Sequence, residues 1–337
     1  MGEALPTHSE RAALVIVRWG LNALGPLLDE LGIEHPLLVT TERWRGLVPA
    51  AKAFYGVRAH SPVDSVAEAA AAAEDADGLL AVGGGSAIDT AKAVSAQTGL
   101  PVVSVPTTYS GAEWTPTFGV RDEARRVKGG GGGAYVEGIV YEPEVTIGLP
   151  PGETAGTAMN ALAHCAEALY VRGRNPTADE EALAGARLIS ASLPLVLADG
   201  EYLEGRRQLL EGAMHAGAAL AGAGLGLAHA MAQALGGRYG LPHGAMNALC
   251  LAPALRFNLP VAETEIRRFG DAMSTHDPVG RVEELAHLGR FTLLRHFGVP
   301  EGELDELGAE AAVRGGARMN PRPATPAEIA DLYRSVW

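Results

Sequence analysis

The residues best suited to chemistry are two histidines in the stretch Gly224–Asn247. His229 lies in Leu227-Ala-His-Ala-Met-Ala-Gln233, a run of small and apolar residues that predicts a closely packed helix. His243 follows Leu241-Pro242 and opens another helical pattern. Buried imidazoles in such surroundings need partners, because an unpaired polar group inside a protein is costly. A third histidine, His164, sits in the helical pattern Glu153–Val171, where Asn160, His164 and Glu167 recur at i, i+4 and i+7 and so share one face. Imidazole suits zinc and iron, and three histidines with a water form a known catalytic zinc set. The slot where a carboxylate would complete a metal site holds Asn160. Without that negative charge a divalent metal binds much less well. A metal, a substrate and other side chains remain the three partners open to these rings.

The first half of the chain reads as strands alternating with helices. Strand patterns cover Ala12–Val17, Leu37–Thr40, Gly78–Val82, Val102–Val105 and Ile139–Tyr141. Helical patterns cover Leu24–Leu31, Gly46–Tyr55, Ser65–Ala76 and Ser86–Thr98. That rhythm predicts a parallel sheet with helical crossovers. In Leu79-Leu-Ala-Val-Gly-Gly-Gly-Ser86 a strand runs into three glycines and a helix starts at the serine. Glycines allow close backbone approach, and the positive end of the helix suits a pyrophosphate. The spacing matches neither G-x-G-x-x-G nor a Walker A loop. The loop Pro106-Thr-Thr-Tyr-Ser-Gly111 follows the next strand, at the end of the sheet where ligands lie in such folds. Lys128 followed by five glycines, through Gly133, predicts a mobile loop.

Clustered prolines and glycines in Glu142–Gly152 end this pattern, and helical patterns occupy nearly everything beyond. They run over Glu153–Val171, Ala178–Leu193, Tyr202–Leu220, Leu227–Leu235, Gly244–Phe257, Glu263–Met273, Arg281–Phe297, Leu304–Arg314 and Pro326–Val336. The expected architecture is an α/β nucleotide-binding domain over residues 1–150 and an all-α domain over 151–337, with the cleft between them as the default binding site. A formal charge of −13 argues against nucleic acid or an anionic membrane as the partner. No unbroken apolar stretch has membrane length and no secretory signal opens the chain, so a cytoplasmic protein is expected. Cys165 and Cys250 each sit in an apolar helical pattern and read as reduced core residues.

Taken together, Gly83-Gly-Gly-Ser-Ala-Ile-Asp-Thr-Ala-Lys92, Val105-Pro-Thr-Thr-Tyr-Ser-Gly111, Met159-Asn-Ala-Leu-Ala-His164, His229 and Pro242-His243-Gly244 resemble the iron-containing (group III) alcohol dehydrogenase superfamily. Pro106-Thr-Thr-Tyr109, Glu167-Ala-Leu-Tyr170 and Asn320-Pro-Arg-Pro323 are most similar to its maleylacetate reductase branch. The resemblance covers nearly the whole chain. It implies a Rossmann-like first domain, a helical second domain, NADH or NADPH as cofactor, and a homodimer. By position, it places Gly20 and Asn22 in a first phosphate-side turn and Gly84, Gly85 and Ser86 around the pyrophosphate. Asp89, Thr107, Thr108 and Gly111 would line the cofactor, and Lys128 would reach the ribose. Asn160, His164, His229 and His243 fall on the four metal positions of the family; the maleylacetate branch carries asparagine in the first and works without metal. Gln233 and Asn247 replace histidines found in relatives, and Asn22 replaces a glycine.

The expected activity is therefore hydride transfer from NAD(P)H to a C=O or C=C, or a C=N, of a small polar substrate, with no metal. His243 and His229 would supply hydrogen bonds or the proton, oriented by Asn160 and His164. Arg238, Tyr239 and Arg322 are candidates for holding a substrate carboxylate. The second strand ends in Thr40-Thr41, where NAD-strict folds place an acid, so NADPH should be accepted beside NADH. Two alternatives stand: an iron- or zinc-dependent alcohol or aldehyde dehydrogenase using His164, His229 and His243, and a redirected homologue that binds nucleotide without turnover.

Overall fold

The computed structural model describes residues 15–122 and 124–337; the expected strand residues Ala12, Ala13 and Leu14 lie outside them. The chain divides into two compact units, residues 1–108 with 112–146, and Tyr109–Gly111 with Ile147–Trp337.

The first unit is built on β1 (Ile16–Trp19), β2 (Pro36–Val39), β3 (Lys52–Phe54), β4 (Gly78–Gly83), β5 (Pro101–Pro106) and β8 (Tyr135–Tyr141). These pair in parallel in the order β1-β8-β5-β4-β2-β3. Helices α1 (Leu24–Glu30), α2 (Val63–Ala72) and α3 (Gly85–Thr98) belong to the same unit. Every residue of β4 is buried. Leu79 and Ala81 pack into one core with Val66, Ala69, Ile88 and Ala91, whereas Leu80 and Val82 pack into another with Leu24 and Leu27. A strand covered on both faces reads as an unbroken apolar run, which is why Leu79–Val82 shows no alternation.

Two expectations fail here. Residues 46–55 do not form a helix. Gly46 has a φ of 81°, Pro49 removes a backbone donor, and the chain extends into β3, pairing Leu37 with Lys52 and Val39 with Phe54 at the sheet edge. The glycine run is no mobile loop: β7 (Val127–Gly131) pairs antiparallel with β6 (Phe118–Asp122), Gly131 opposite Phe118. A Cβ on Gly131 would lie 2.6 Å from the Phe118 ring, and one on Gly130 would lie 2.7 Å from the Phe118 carbonyl oxygen. Glycine is present because that aromatic ring lies across the strand.

The second unit comprises α4 (Pro151–Ala168), α5 (Pro176–Ala198), α6 (Leu203–Ala223), α7 (Leu227–Tyr239), α8 (His243–Ala272), α9 (Pro278–Leu288), α10 (Leu304–Ala312), α11 (Gly315–Met319) and α12 (Pro326–Arg334). The two helices expected over Gly244–Phe257 and Glu263–Met273 meet within α8 at Ala262, where the backbone leaves helical geometry (φ −138°, ψ 32°) just past Pro260. The pattern over 281–297 breaks instead: α9 ends at Leu288, and Arg290 turns left-handed with φ 63°. Among the described residues, α5 has the length and hydropathy of a bilayer span, as do α6 and α7 taken as one bent pair; Ala182, Ala186, Ile189 and Leu193 bury α5 as a core helix. The central helix is α4, buried from Thr154 to Ala168 except at Thr157. Its Gly156 lies so close to Gly244 that a Cβ on Gly244 would collide with the Gly156 backbone. This close approach seats the start of α8, and therefore His243, beside α4.

Candidate active site

Asn160 is the hub of a polar cluster in the second unit. Its Nδ2 donates to the Ser110 carbonyl at 3.0 Å, which fixes the amide so that Oδ1 points the other way. Oδ1 accepts from Asn247 Nδ2 at 2.7 Å and faces His229 Nε2 at 3.3 Å. The other nitrogen of His229, Nδ1, lies 2.6 Å from Glu167 Oε2. Both ring nitrogens thus face acceptor oxygens, the shorter contact being the one to the Glu167 carboxylate.

Glu167 does more than face the ring. It accepts from the backbone N–H of Gly226 (2.7 Å), Ala228 (2.7 Å) and His229 (3.3 Å). The start of α7 has no capping side chain of its own, so a fully buried carboxylate from α4 closes it and fixes the His229 rotamer.

His164 stacks on His229 with ring centroids 4.6 Å apart and 14° between the planes. Burial first, and then the charge of His229, hold the His164 imidazole well below its ordinary range, so it stays neutral near pH 7. Its Nδ1 is buried without a hydrogen-bond partner, as is Asn247 Oδ1. Gly111, with φ 71°, leaves room here: a Cβ would lie 3.5 Å from His164 Nδ1. The His243 ring is 5.8 Å from that of His229, and Asn247 Nδ2 lies 3.1 Å from His243 Nε2. With Nε2 receiving that N–H, the proton of neutral His243 resides on Nδ1.

These side chains do not fit a divalent metal ion. The Asn247 amide group points its hydrogens at Asn160 Oδ1 and His243 Nε2, two atoms that a cation would need. The cluster holds imidazoles and amides, its one carboxylate is turned to the far nitrogen of His229, and among the described residues no three His, Cys, Asp or Glu side chains are arranged as ligands.

The glycine turn of the first unit fits a dinucleotide phosphate. Strand connections run from β2 outward to β3 and from β4 outward to β5, so the sheet reverses direction between β2 and β4, where α/β folds bind their ligands. Gly83 has a φ of 152°, and a Cβ on Gly84 would lie 2.8 Å from Thr108 Cγ2. Helix α3 starts at Gly85-Ser86 with no side-chain cap. Thr107 N–H is tied to the Gly83 carbonyl at 3.0 Å, and Thr108 Oγ1 beside it is buried with no partner. An orphaned hydroxyl beside an uncapped helix start is a cradle for phosphate oxygens.

Other expected cofactor residues lie apart from this turn. Gly20 and Asn22 follow β1 at the sheet edge, with β8 and β5 between them and β4. Asp89 is engaged within its unit, 3.0 Å from Lys92 Nζ through one oxygen and accepting the Gly119 N–H at 3.1 Å through the other. Lys128 projects from β7 over Gly119. The arginines considered for a substrate carboxylate are spent elsewhere. Arg238 pairs with Glu303, Glu306 and Glu310, and Tyr239 donates to Glu303. Arg322 pairs with Glu328 at 2.7 Å.

Sequence reading placed Glu167 on the right face but gave it no role; its spacing of seven from Asn160 was the available signal. It missed Glu113 entirely. This carboxyl is fully buried, accepts from Tyr141 OH at 2.8 Å, and leaves Oε2 with no partner. Trp114 Nε1 donates to the same Tyr141 oxygen at 2.8 Å. Burial pushes the Glu113 carboxyl up to about 7, against smaller opposing effects of hydrogen bonds and of Lys92.

The chain belongs to the iron-containing alcohol dehydrogenase family, a family of oxidoreductases. Residues 14–134 match the family model "Iron-containing alcohol dehydrogenase", and residues 154–337 match that of its C-terminal part. Its relatives include maleylacetate reductases: that of Pseudomonas sp. (strain P51) is 32% identical over 329 residues, covering 94% of this chain and 93% of the relative. Among solved structures, a putative alcohol dehydrogenase from Ralstonia eutropha JMP134 superposes with a TM-score of 0.87 at 32% identity, covering 96% of both chains. Maleylacetate reductase from Agrobacterium tumefaciens does so at 0.87 and 27%, again over 96% of both. The chain is an NAD(P)H-dependent reductase acting on a small molecule.

Proposed function

We propose that this reductase delivers hydride and proton to a C=O, or to a C=C conjugated with one, without a metal, and that its proton donor is His243. The observation that carries this reading is the hydrogen-bond order Glu167–His229–Asn160–Asn247–His243. Gly84, Gly85, Ser86 and Thr108 would hold NAD(P)H, which would supply the hydride. Asn247 holds His243 Nε2, so Nδ1 carries the hydrogen offered to the substrate oxygen. The ring is mostly buried and its Nδ1 is closed off from solvent. His229, held between Glu167 and Asn160, presents a second ring positioned to favour a developing oxyanion. Neutral His164 completes the wall.

NADPH is accepted beside NADH in this reading. Thr40 is consumed structurally, its Oγ1 donating to the Val82 carbonyl at 2.7 Å. The one acid of the following turn, Glu42, is bidentate with Arg45 at 2.8 and 2.7 Å, which keeps its carboxylate from the ribose hydroxyls. The relatives make maleylacetate the first compound to test, followed by 2-oxo acids and small aldehydes.

The test is His243→Ala, assayed by NAD(P)H oxidation. Turnover should fall by about 10²–10⁴-fold, the usual worth of a positioned acid, with cofactor binding retained. Wild-type turnover in that variant sinks the assignment. Activity that disappears on chelation and returns with Fe²⁺ or Zn²⁺ sinks the metal-free part alone.

A further inference from the structure

We propose that Arg206 is a positioning residue for the active site, acting through Tyr109 and Ser110 on Asn160; the inference rests on the reductase reading above. Arg206, on α6, is the largest wholly buried side chain in the protein's described residues, with 2% of its surface exposed. A buried guanidinium is ordinarily matched by a carboxylate, because removing its charge from water is costly. Here all four acceptors are neutral. Nε donates to the Gly200 carbonyl at 3.0 Å, Nη1 to Tyr109 OH at 3.2 Å and Thr154 Oγ1 at 3.0 Å, and Nη2 to the Ile147 carbonyl at 3.3 Å.

Those acceptors are a meaningful set. Tyr109 begins the three-residue excursion Tyr109–Gly111 into the helical unit, and Ile147 is where the chain enters that unit for good. Thr154 lies in the first turn of α4, the helix that carries Asn160 and His164. Arg206 therefore ties the excursion to the helix beneath it. The Tyr109 side chain is wholly buried and its N–H meets Thr157 Oγ1 at 3.3 Å. The next residue presents the Ser110 carbonyl that holds Asn160 Nδ2, and the one after that is Gly111, packed against His164. If the excursion shifts, Asn160 loses the contact that orients its amide, and Oδ1 no longer meets both His229 and Asn247. Neutral acceptors serve this purpose: a carboxylate would fix the guanidinium but hold no backbone segment.

The test compares kcat, NADPH affinity by cofactor fluorescence, and melting temperature for Arg206→Lys and Tyr109→Phe, each alone and combined with Asn160→Ala. The substrate is maleylacetate or, if it is not reduced, whichever compound of the 2-oxo acid and aldehyde panel is turned over fastest. Each single variant should lose about tenfold in kcat with NADPH affinity kept, a modest loss for a displaced catalytic array. In the Asn160→Ala background neither should cost anything further, which a merely structural role cannot produce. Tyr109→Phe keeps three of the four guanidinium bonds, so it decides the matter if Arg206→Lys fails to fold. Unchanged kcat in Tyr109→Phe, or losses that multiply with that of Asn160→Ala, overturns the inference while leaving the reductase reading intact. A wild-type protein that reduces nothing in the panel overturns both.

Discussion

Glu113 gives the most quantitative test of the physical reading. Its carboxyl is buried with one unpartnered oxygen, and its folded-state value stands at about 7 against 4.5 for the free group. The sign follows from proton counting. Between these two values the folded chain binds the proton and the unfolded chain does not, so this group stabilises the fold at low pH. That contribution is complete below 4.5 and is lost as pH rises through 7. A shift of this size corresponds to about 3 kcal/mol in total, of which about 2.5 kcal/mol is lost between pH 5 and pH 9. Glu113→Gln keeps the shape, can still accept from Tyr141, and removes the titration. The variant should match wild type near pH 5 and gain on it steadily, by about 2.5 kcal/mol at pH 9. Urea unfolding followed by tryptophan fluorescence is the assay, since Trp114 shares the Tyr141 hydroxyl with Glu113 and three of the four tryptophans lie in the first unit. A stability difference between the two proteins that does not change with pH refutes the argument.

Three further outcomes follow from the site. Glu167→Gln leaves the N–H groups of α7 and the His229 ring facing an amide, and should cost about 3–5 kcal/mol as a broken buried pair, measurable by chemical unfolding. Gly84→Ala places a methyl 2.8 Å from Thr108 Cγ2 and should weaken NADPH binding by about tenfold or more in fluorescence titration, with the melting temperature little changed. Thr41→Asp introduces the acid that the second strand lacks; the ratio of kcat/KM for NADH over NADPH should rise by about tenfold or more, and an unchanged ratio means that the ribose is read elsewhere.

The strand–helix rhythm and the glycine turn were legible because they depend on local pattern: buried runs such as Leu79–Val82, and glycines where a backbone must come close. The elements misread are those whose reason lies across space. Residues 52–54 become a strand only because β2 offers an edge, and nothing in Lys-Ala-Phe announces it. The glycine run after Lys128 is a strand because Phe118, ten residues earlier in sequence, covers it. At the site, spacing brought Asn160, His164 and Glu167 onto one face, and the apolar setting of His229 marked it for a partner. That Glu167 is the partner, capping a helix that starts 60 residues later, is a tertiary fact. So is the commitment of Arg238 to three glutamates, which removes a residue that by type alone was a fair candidate for binding substrate.

The excursion Tyr109–Gly111 also bears on how this chain can be cut and recombined. The helical unit does not begin cleanly at Ile147, because three residues from far upstream furnish acceptors for Asn160 and Arg206. A fragment starting at Ile147 would carry a buried cation short of one bond and an Asn160 amide free to turn. Grafting the helical unit onto another nucleotide-binding domain therefore requires a donor whose own loop brings an aromatic hydroxyl and a carbonyl to the same two places. In that sense the unit is inherited with its loop, and a swap made at the apparent boundary would exchange the cofactor domain and loosen the active site in the same step.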